Sequence, residues 1–449
     1  MRGGAARHRG RAGGIRRAGM TTLLRQLKRN HAPGPHHVAP TPGRASPPQA
    51  IRLIAFYLPQ FHPVPENDAW WGPGFTEWTN VSKALPLFDG HYQPHLPADL
   101  GFYDLRLPAS LRAQAELARS YGVAGFCFHY YWFSGRRILD APLENLLRDP
   151  TIDIGFCLNW ANENWTRTWN GGEHDVLLRQ GYEPGFEASL VDAIAPALAD
   201  PRYIRIGNRP VFMIYRPSLL PEAAATADRL RALIAGRGLG EPFLMMAQLG
   251  DEASPSFDPR RYRLDAAVEF PPHRVGFDLP ALAEPVARFD MTFRGGLRRY
   301  EDMVQRACMV ARPDFPLFRG VCPGWDNTPR RPQRGFAFLD ATPGAYGTWL
   351  EHACRDAGTT EDASARMVFI NAWNEWAEGA HLEPDRHFGH GFLAETARVL
   401  RACAEGPGAE QAGYSAPESR AGLRRRLRVK GVETLRHLSE RLAGEAGAR

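Results

Sequence analysis

The sequence predicts a (β/α)8 barrel in a single domain. Eight short runs of apolar, β-branched and aromatic residues recur between residues 51 and 403, and helical stretches separate nearly all of them. The runs are near-continuous rather than alternating, the pattern of parallel strands covered on both faces. No GxGxxG follows the first run, where a doubly wound nucleotide-binding sheet would carry it; Tyr57-Leu-Pro-Gln-Phe-His62 stands there instead.

The runs are Arg52–Phe56, Val123–Phe128, Ile152–Leu158, Pro210–Tyr215, Phe243–Gln248, Ala266–Phe270, Leu317–Cys322 and Met367–Ala372. Helices are expected over Leu105–Tyr121, Ala141–Leu147, Gly185–Leu198, Pro221–Arg237, Leu297–Val310, Pro343–Asp356 and Gly391–Cys403. Only the link between the fifth and sixth runs lacks a clear long helix. Eight strand–helix units in one chain suit closure into a barrel better than an open sheet.

Three segments are expected along the chain. Residues 1–50, rich in Gly, Pro and Arg and without periodicity, read as a disordered extension, with Met20 as the start or an organellar leader as the alternative. Residues 51–403 form the barrel. Residues 404–449 read as a polar linker and a basic amphipathic helix over 423–443, a solvated terminal helix or a weak membrane-surface contact.

Charge follows the same division. The net charge of +6 comes from the ends: residues 1–50 hold ten basic side chains and no acid, whereas 51–403 hold 36 basic against 43 acidic. A mildly acidic body is not a nucleic-acid-binding domain. No apolar stretch is long enough to span a membrane or form a secretory signal, which favours a cytoplasmic protein, peripheral at most to the inner membrane face. Six cysteines make no disulfide framework, and no Cys/His spacing matches a zinc site, so neither metal nor cofactor is expected. His381, His387 and His390 read as surface histidines.

Barrel enzymes place their chemistry at the C-terminal ends of the strands. Here those ends collect rings, amides and charges: Tyr57, His62, Trp70 and Trp71 after the first run; His129 and Tyr130 after the second; Asn159, Trp160, Asn162, Glu163 and Trp165 after the third. Tyr215 and Arg216 follow the fourth, Glu269 the sixth, Trp325 the seventh, and Trp373, Asn374 and Trp376 the eighth. Flat rings stack on sugar faces while amides and carboxylates bind hydroxyls, so these residues are candidate glycan contacts. Glycosidic chemistry uses two carboxyl groups with different tasks. Glu375 and Glu378, three residues apart beside Trp373 and Trp376, are the candidate pair, because apolar neighbours raise a carboxyl pKa toward that of a general acid. Glu77, Glu163, Glu269 and Asp326 are the other candidates. The competing expectation is a salt bridge from one glutamate to Arg167 or Arg216.

Six stretches carry a resemblance: AFYLPQFHPVPENDAWWGPGFTEWTNV (55–81), QPHLPADLGFYDLR (93–106), GFCFHYYWF (125–133), CLNWANENWTRTWNG (157–171), PVFMIYRP (210–217) and NAWNEWAEGAHLEPD (371–385). In order, over residues 51–400, they resemble the WbsX-type family of O-antigen and surface-polysaccharide loci, whose fold is similar to family 99 glycoside hydrolases. The resemblance implies a carbohydrate-active enzyme acting on an α-linked glycan or lipid-linked oligosaccharide. It implies Glu378 as general acid/base, Glu375 as the base toward the 2-hydroxyl, and retention through a 1,2-anhydro sugar. Ala377 departs from the histidine common in family 99, so substrate contacts are expected to differ. No Asp-x-Asp or Gly-rich phosphate loop supports a nucleotide-sugar transferase, which stays open as an alternative beside an inert glycan-binding barrel.

Overall fold

The computed structural model describes residues 22–41, 46–48, 50–167, 172–249, 258–283 and 286–405. The expected basic helix over 423–443 lies outside them. Eight parallel strands close a barrel: β1 (Arg52–Tyr57), β2 (Val123–Phe133), β3 (Gly155–Trp160), β4 (Arg209–Ile214), β5 (Phe243–Gln248), β6 (Ala266–Glu269), β7 (Leu317–Phe318 with Gly320–Val321) and β8 (Met367–Ile370). Strand β7 breaks at Arg319. Its first half pairs with β6 (Val268 opposite Phe318) and its second with β8 (Val321 opposite Ile370), so the two halves close the ring.

Nine helices surround or cap the strands among the described residues from 50 onward. They are α2 (Pro65–Trp71), α3 (Glu77–Lys83), α4 (Pro108–Ser120), α5 (Ala141–Arg148), α6 (Phe186–Leu198), α7 (Ala223–Gly236), α8 (Tyr300–Met309), α9 (Pro343–Gly358) and α10 (Gly391–Glu405), after a helix α1 at residues 22–30. Their starts are chemically specified. Pro343 opens α9 behind Thr342, whose hydroxyl accepts Ala345 N–H at 3.2 Å. Thr76 and Thr79 form a reciprocal capping box on α3, the short helix that carries Glu77. Between β5 and β6 the described residues hold only a single 3-10 turn, Pro259–Tyr262.

The barrel axis is filled by rings from distant strands. Phe56 of β1 meets Phe270 at 4.7 Å and Phe369 of β8 at 5.6 Å between ring centroids. Strands β1 and β6 are not neighbours in the sheet, so this contact runs across the interior. Truncating such a ring costs about 3–5 kcal/mol through lost burial and the cavity it leaves.

The expectation of an irregular N-terminal extension does not hold over residues 22–41. Helix α1 buries two amides, not an apolar stripe. Asn30 Nδ2 donates to His91 O at 2.9 Å and Gln93 O at 2.8 Å, and Gln26 Nε2 to Asn30 Oδ1 at 2.9 Å. Val38 pairs with Gly389, with Val38 N–H donating to Phe388 O at 3.0 Å. Hydrophobic periodicity is blind to a helix docked through polar groups. No helix among the described residues is long and apolar enough to cross a membrane.

Candidate active site

The loop after β8 is pinned to β1 before it reaches the two glutamates. Trp373 N–H donates to Phe56 O at 2.8 Å. The Asn374 amide accepts from Leu58 N–H at 2.8 Å and donates to Leu58 O at 2.9 Å, imitating one more rung of sheet. Trp376 Nε1 donates to Glu383 at 2.6 Å, and the 3-10 turn Trp376–Glu378 ends at Gly379 with φ of 60°. A Cβ there would be strained by the left-handed backbone and would lie 3.1 Å from Asp326 N. From the other side Asp326 N–H donates to Glu378 O at 2.6 Å.

This framework brings three carboxylates onto one buried guanidinium. Arg330 reaches Glu77 at 3.2 Å through Nε, Glu375 at 2.9 Å through Nη2 and Glu378 at 2.6 Å through Nη1. Glu77 is fully buried, Glu375 is 7% exposed and Glu378 half-buried. Burial pushes Glu375 up to about 8, with the neighbouring carboxylates adding to the rise and Arg330 opposing it. Burial raises Glu378 too, against the same guanidinium. Three carboxylates around a single cation cannot all ionise cheaply, so the cluster retains a proton near neutral pH.

The walls are aromatic. Trp165, half-buried, stacks on Tyr131 at 5.3 Å and 14° and meets Trp70 edge-on at 5.3 Å. His129 lies 5.9 Å from Tyr215 between centroids, and burial with the Arg330 charge holds it neutral, down to about 4. Glu163 pairs with Arg216 at 2.5 Å. Trp71, also half-buried, packs 5.8 Å from Phe75.

Other candidates are committed to the fold. Tyr57 donates to Gln114 at 2.7 Å, Trp160 Nε1 to Trp132 O at 3.3 Å, and Asn159 Nδ2 lies 3.3 Å from His129 Nδ1. Asn162 clamps the backbone of Arg216 through both amide atoms at 2.7 Å. His62, Tyr130, Trp325, Trp373, Asn374 and Trp376 are buried. Glu269 turns away from the cluster: it pairs with Arg319 at 3.0 Å and accepts Gly320 N–H at 3.1 Å.

Two corrections follow. The glutamates do form a salt bridge, but to Arg330, which pairs with both; Arg216 pairs with Glu163 instead, and the Arg167 side chain lies outside the described ones. Arg330 stands in an irregular Arg- and Pro-rich loop after β7, where no periodicity marks it; its one sequence signal is its place beyond the seventh run, close to Asp326. His381 and His390 are buried at 6% and 3% exposure and are not surface histidines. His390 bonds Tyr121 at 2.8 Å and Asp99, while His381 faces His95 at 2.9 Å.

The sequence matches the family described as glycosyltransferase WbsX over residues 53–396. The chain belongs to that family. A Xanthomonas campestris pv. campestris protein named "Uncharacterized protein WxcX" is 47% identical over 350 residues, 78% of this chain and 49% of its own, and the strain B100 counterpart matches equally. This WbsX-family chain therefore spans about half the length of the curated relatives it matches. Among solved structures, a "Glycoside hydrolase-like protein" superposes with TM-score 0.51 at 14% identity, covering 82% of this chain and 99% of that one. A GH99 endo-alpha-mannosidase from Bacteroides thetaiotaomicron aligns with TM-score 0.47 at 16% identity over 79% and 98%. The first likeness supports the barrel fold.

Proposed function

We propose that the barrel cleaves or transfers an α-linked, mannoside- or rhamnoside-like glycosyl unit in surface-polysaccharide metabolism, with Glu375 and Glu378 as its catalytic carboxylates. The observation that carries this reading is the buried Glu77–Glu375–Glu378 cluster on Arg330, walled by Trp165, Tyr131 and Trp70 at the strand ends where barrel enzymes work. A proton-sharing carboxyl pair beside stacking rings suits sugar chemistry.

In the proposed cycle Glu375 removes the 2-hydroxyl proton, O2 attacks C1, and the bond to the leaving oxygen breaks as Glu378 protonates it. Water or an acceptor hydroxyl then opens the 1,2-anhydro ring at C1 and gives its proton to Glu378, while Glu375 returns its proton to O2. Configuration at C1 is retained. The family's description as a glycosyltransferase favours a sugar hydroxyl as acceptor.

Leaving-group dependence tests the division of roles. With an activated aryl glycoside, which needs no protonation to depart, Glu378→Gln is expected to recover most of its first-step rate and Glu375→Gln to remain inactive. Recovery by Glu375→Gln instead would exchange the two roles.

A further inference from the structure

We propose that His95, His381 and Asp385 form a divalent transition-metal site, fitting zinc, which ties the segment after α3 to the turn behind the catalytic loop. Three donor atoms from these buried side chains lie within 4.8 Å of one another, although His95 is separated from His381 by 285 intervening residues. His95 Nδ1 stands 2.9 Å from His381 Nε2, and His381 Nε2 is 3.8 Å from Asp385 Oδ2. Two ligands of a tetrahedral zinc, each about 2.0–2.1 Å from the ion, stand about 3.3 Å apart. The observed separations bracket that value.

The groups behind the donors are arranged as metal ligands require. His381 Nδ1 lies 2.9 Å from Glu383 O, and a carbonyl oxygen can only accept, so Nδ1 carries the proton and Nε2 offers a lone pair. Asp385 Oδ1 is taken by His387 N–H at 2.9 Å and Phe388 N–H at 2.6 Å, which turns Oδ2 toward the rings. Without a metal, His95 Nδ1–H donates to His381 Nε2. Metal binding leaves that Nδ1 bare, with the His95 proton on Nε2. Two imidazole nitrogens and one carboxylate select a first-row transition ion over calcium or magnesium, and the fourth position falls to water.

The site would brace the chemistry without joining it. His381 stacks on Trp376 at 3.8 Å and 15°, and Trp376 sits between Glu375 and Glu378. Spacing along the chain could not reveal the site, because its ligands come from two loops.

The test uses the full chain without a polyhistidine tag. Metal analysis after gel filtration is expected to give about one zinc per chain. His95→Ala and Asp385→Asn are expected to lose it. Chelator-stripped wild type titrated with cobalt(II) is expected to develop visible ligand-field bands saturating at about one equivalent, and shifted imidazole N–H resonances in its paramagnetic NMR spectrum should count two histidines. That readout stands even if the variants fail to fold. Negligible zinc with a featureless cobalt spectrum would overturn the proposal. So would metal retained in a folded His95→Ala protein, which would place it elsewhere, as on His36, His37 and His387.

Discussion

Replacing Glu375 by glutamine is expected to remove activity and stabilise the fold, and the stabilisation should grow with pH. Burial moves this carboxyl from 4.5 to about 8, so the folded chain holds a proton that the unfolded chain has released. For a raised carboxyl, the linked stability is fully present below pH 4.5 and declines as pH rises toward 8. Three and a half pH units at about 1.4 kcal/mol each set a ceiling of about 5 kcal/mol. Glutamine abolishes this pH-linked loss, and the opposing pull of Arg330 is already contained in the raised value. The variant's advantage should therefore approach that ceiling at pH 9 and fall to about 1 kcal/mol at pH 5, where the native glutamate is mostly protonated and nearly isosteric with glutamine. Urea unfolding of both proteins at the two pH values reads this directly, through midpoints at constant slope. A difference independent of pH, or a variant weaker than wild type at pH 9, would refute the electrostatic account of the cluster.

Arg330→Met should destabilise by about 3–5 kcal/mol, because it strands three carboxylates around an apolar side chain; chemical denaturation measures it, and Arg330→Lys should recover part of the loss. Asn30→Leu in α1 should cost about 1–3 kcal/mol in the full chain by taking the Asn30 donor from the Gln93 carbonyl and leaving His91 O with only Gln26 Nε2 at 3.3 Å and Gln93 N–H at 3.2 Å, whereas Lys28→Ala on the exposed face should be neutral by the same assay. Burial would raise Asp326, but His91 at 2.6 Å, Thr328 and Gln93 together hold it down at about 2. Its contribution, about 2 kcal/mol, is present above pH 4 and lost as pH falls through 2, so Asp326→Asn should flatten acid unfolding across that interval.

The barrel was legible because parallel strands buried on both faces must be written in apolar runs, and all eight runs mark strands. The seventh run was read as continuous, yet its strand is broken at Arg319, whose charge leaves the apolar run to pair with Glu269 and Asp356. Glu375 and Glu378 stood out because they share one short motif with two tryptophans. Arg330 did not, since its contacts cross from the loop after β7 and nothing local distinguishes its charge from other surface charge; Glu77 was one candidate carboxylate among several, and only the fold brings it to the same guanidinium. Trp160, Trp373 and Trp376 illustrate the converse. Rings at strand ends read as sugar platforms, but here these three are buried props and the half-buried stack is Tyr131 with Trp165. Helix α1 escaped notice because it docks through amides.

Glu375 and Glu378 are proposed to carry glycosidic chemistry. The most direct measurement incubates wild type, Glu375→Gln and Glu378→Gln with α-linked manno- and rhamno-oligosaccharides and, in parallel, with sugar nucleotides plus acceptors, following products by mass spectrometry and their anomeric configuration by NMR. The account predicts release or transfer from the oligosaccharides with retention, lost in both variants on unactivated substrates. Transfer from a nucleotide donor that neither substitution affects would contradict it.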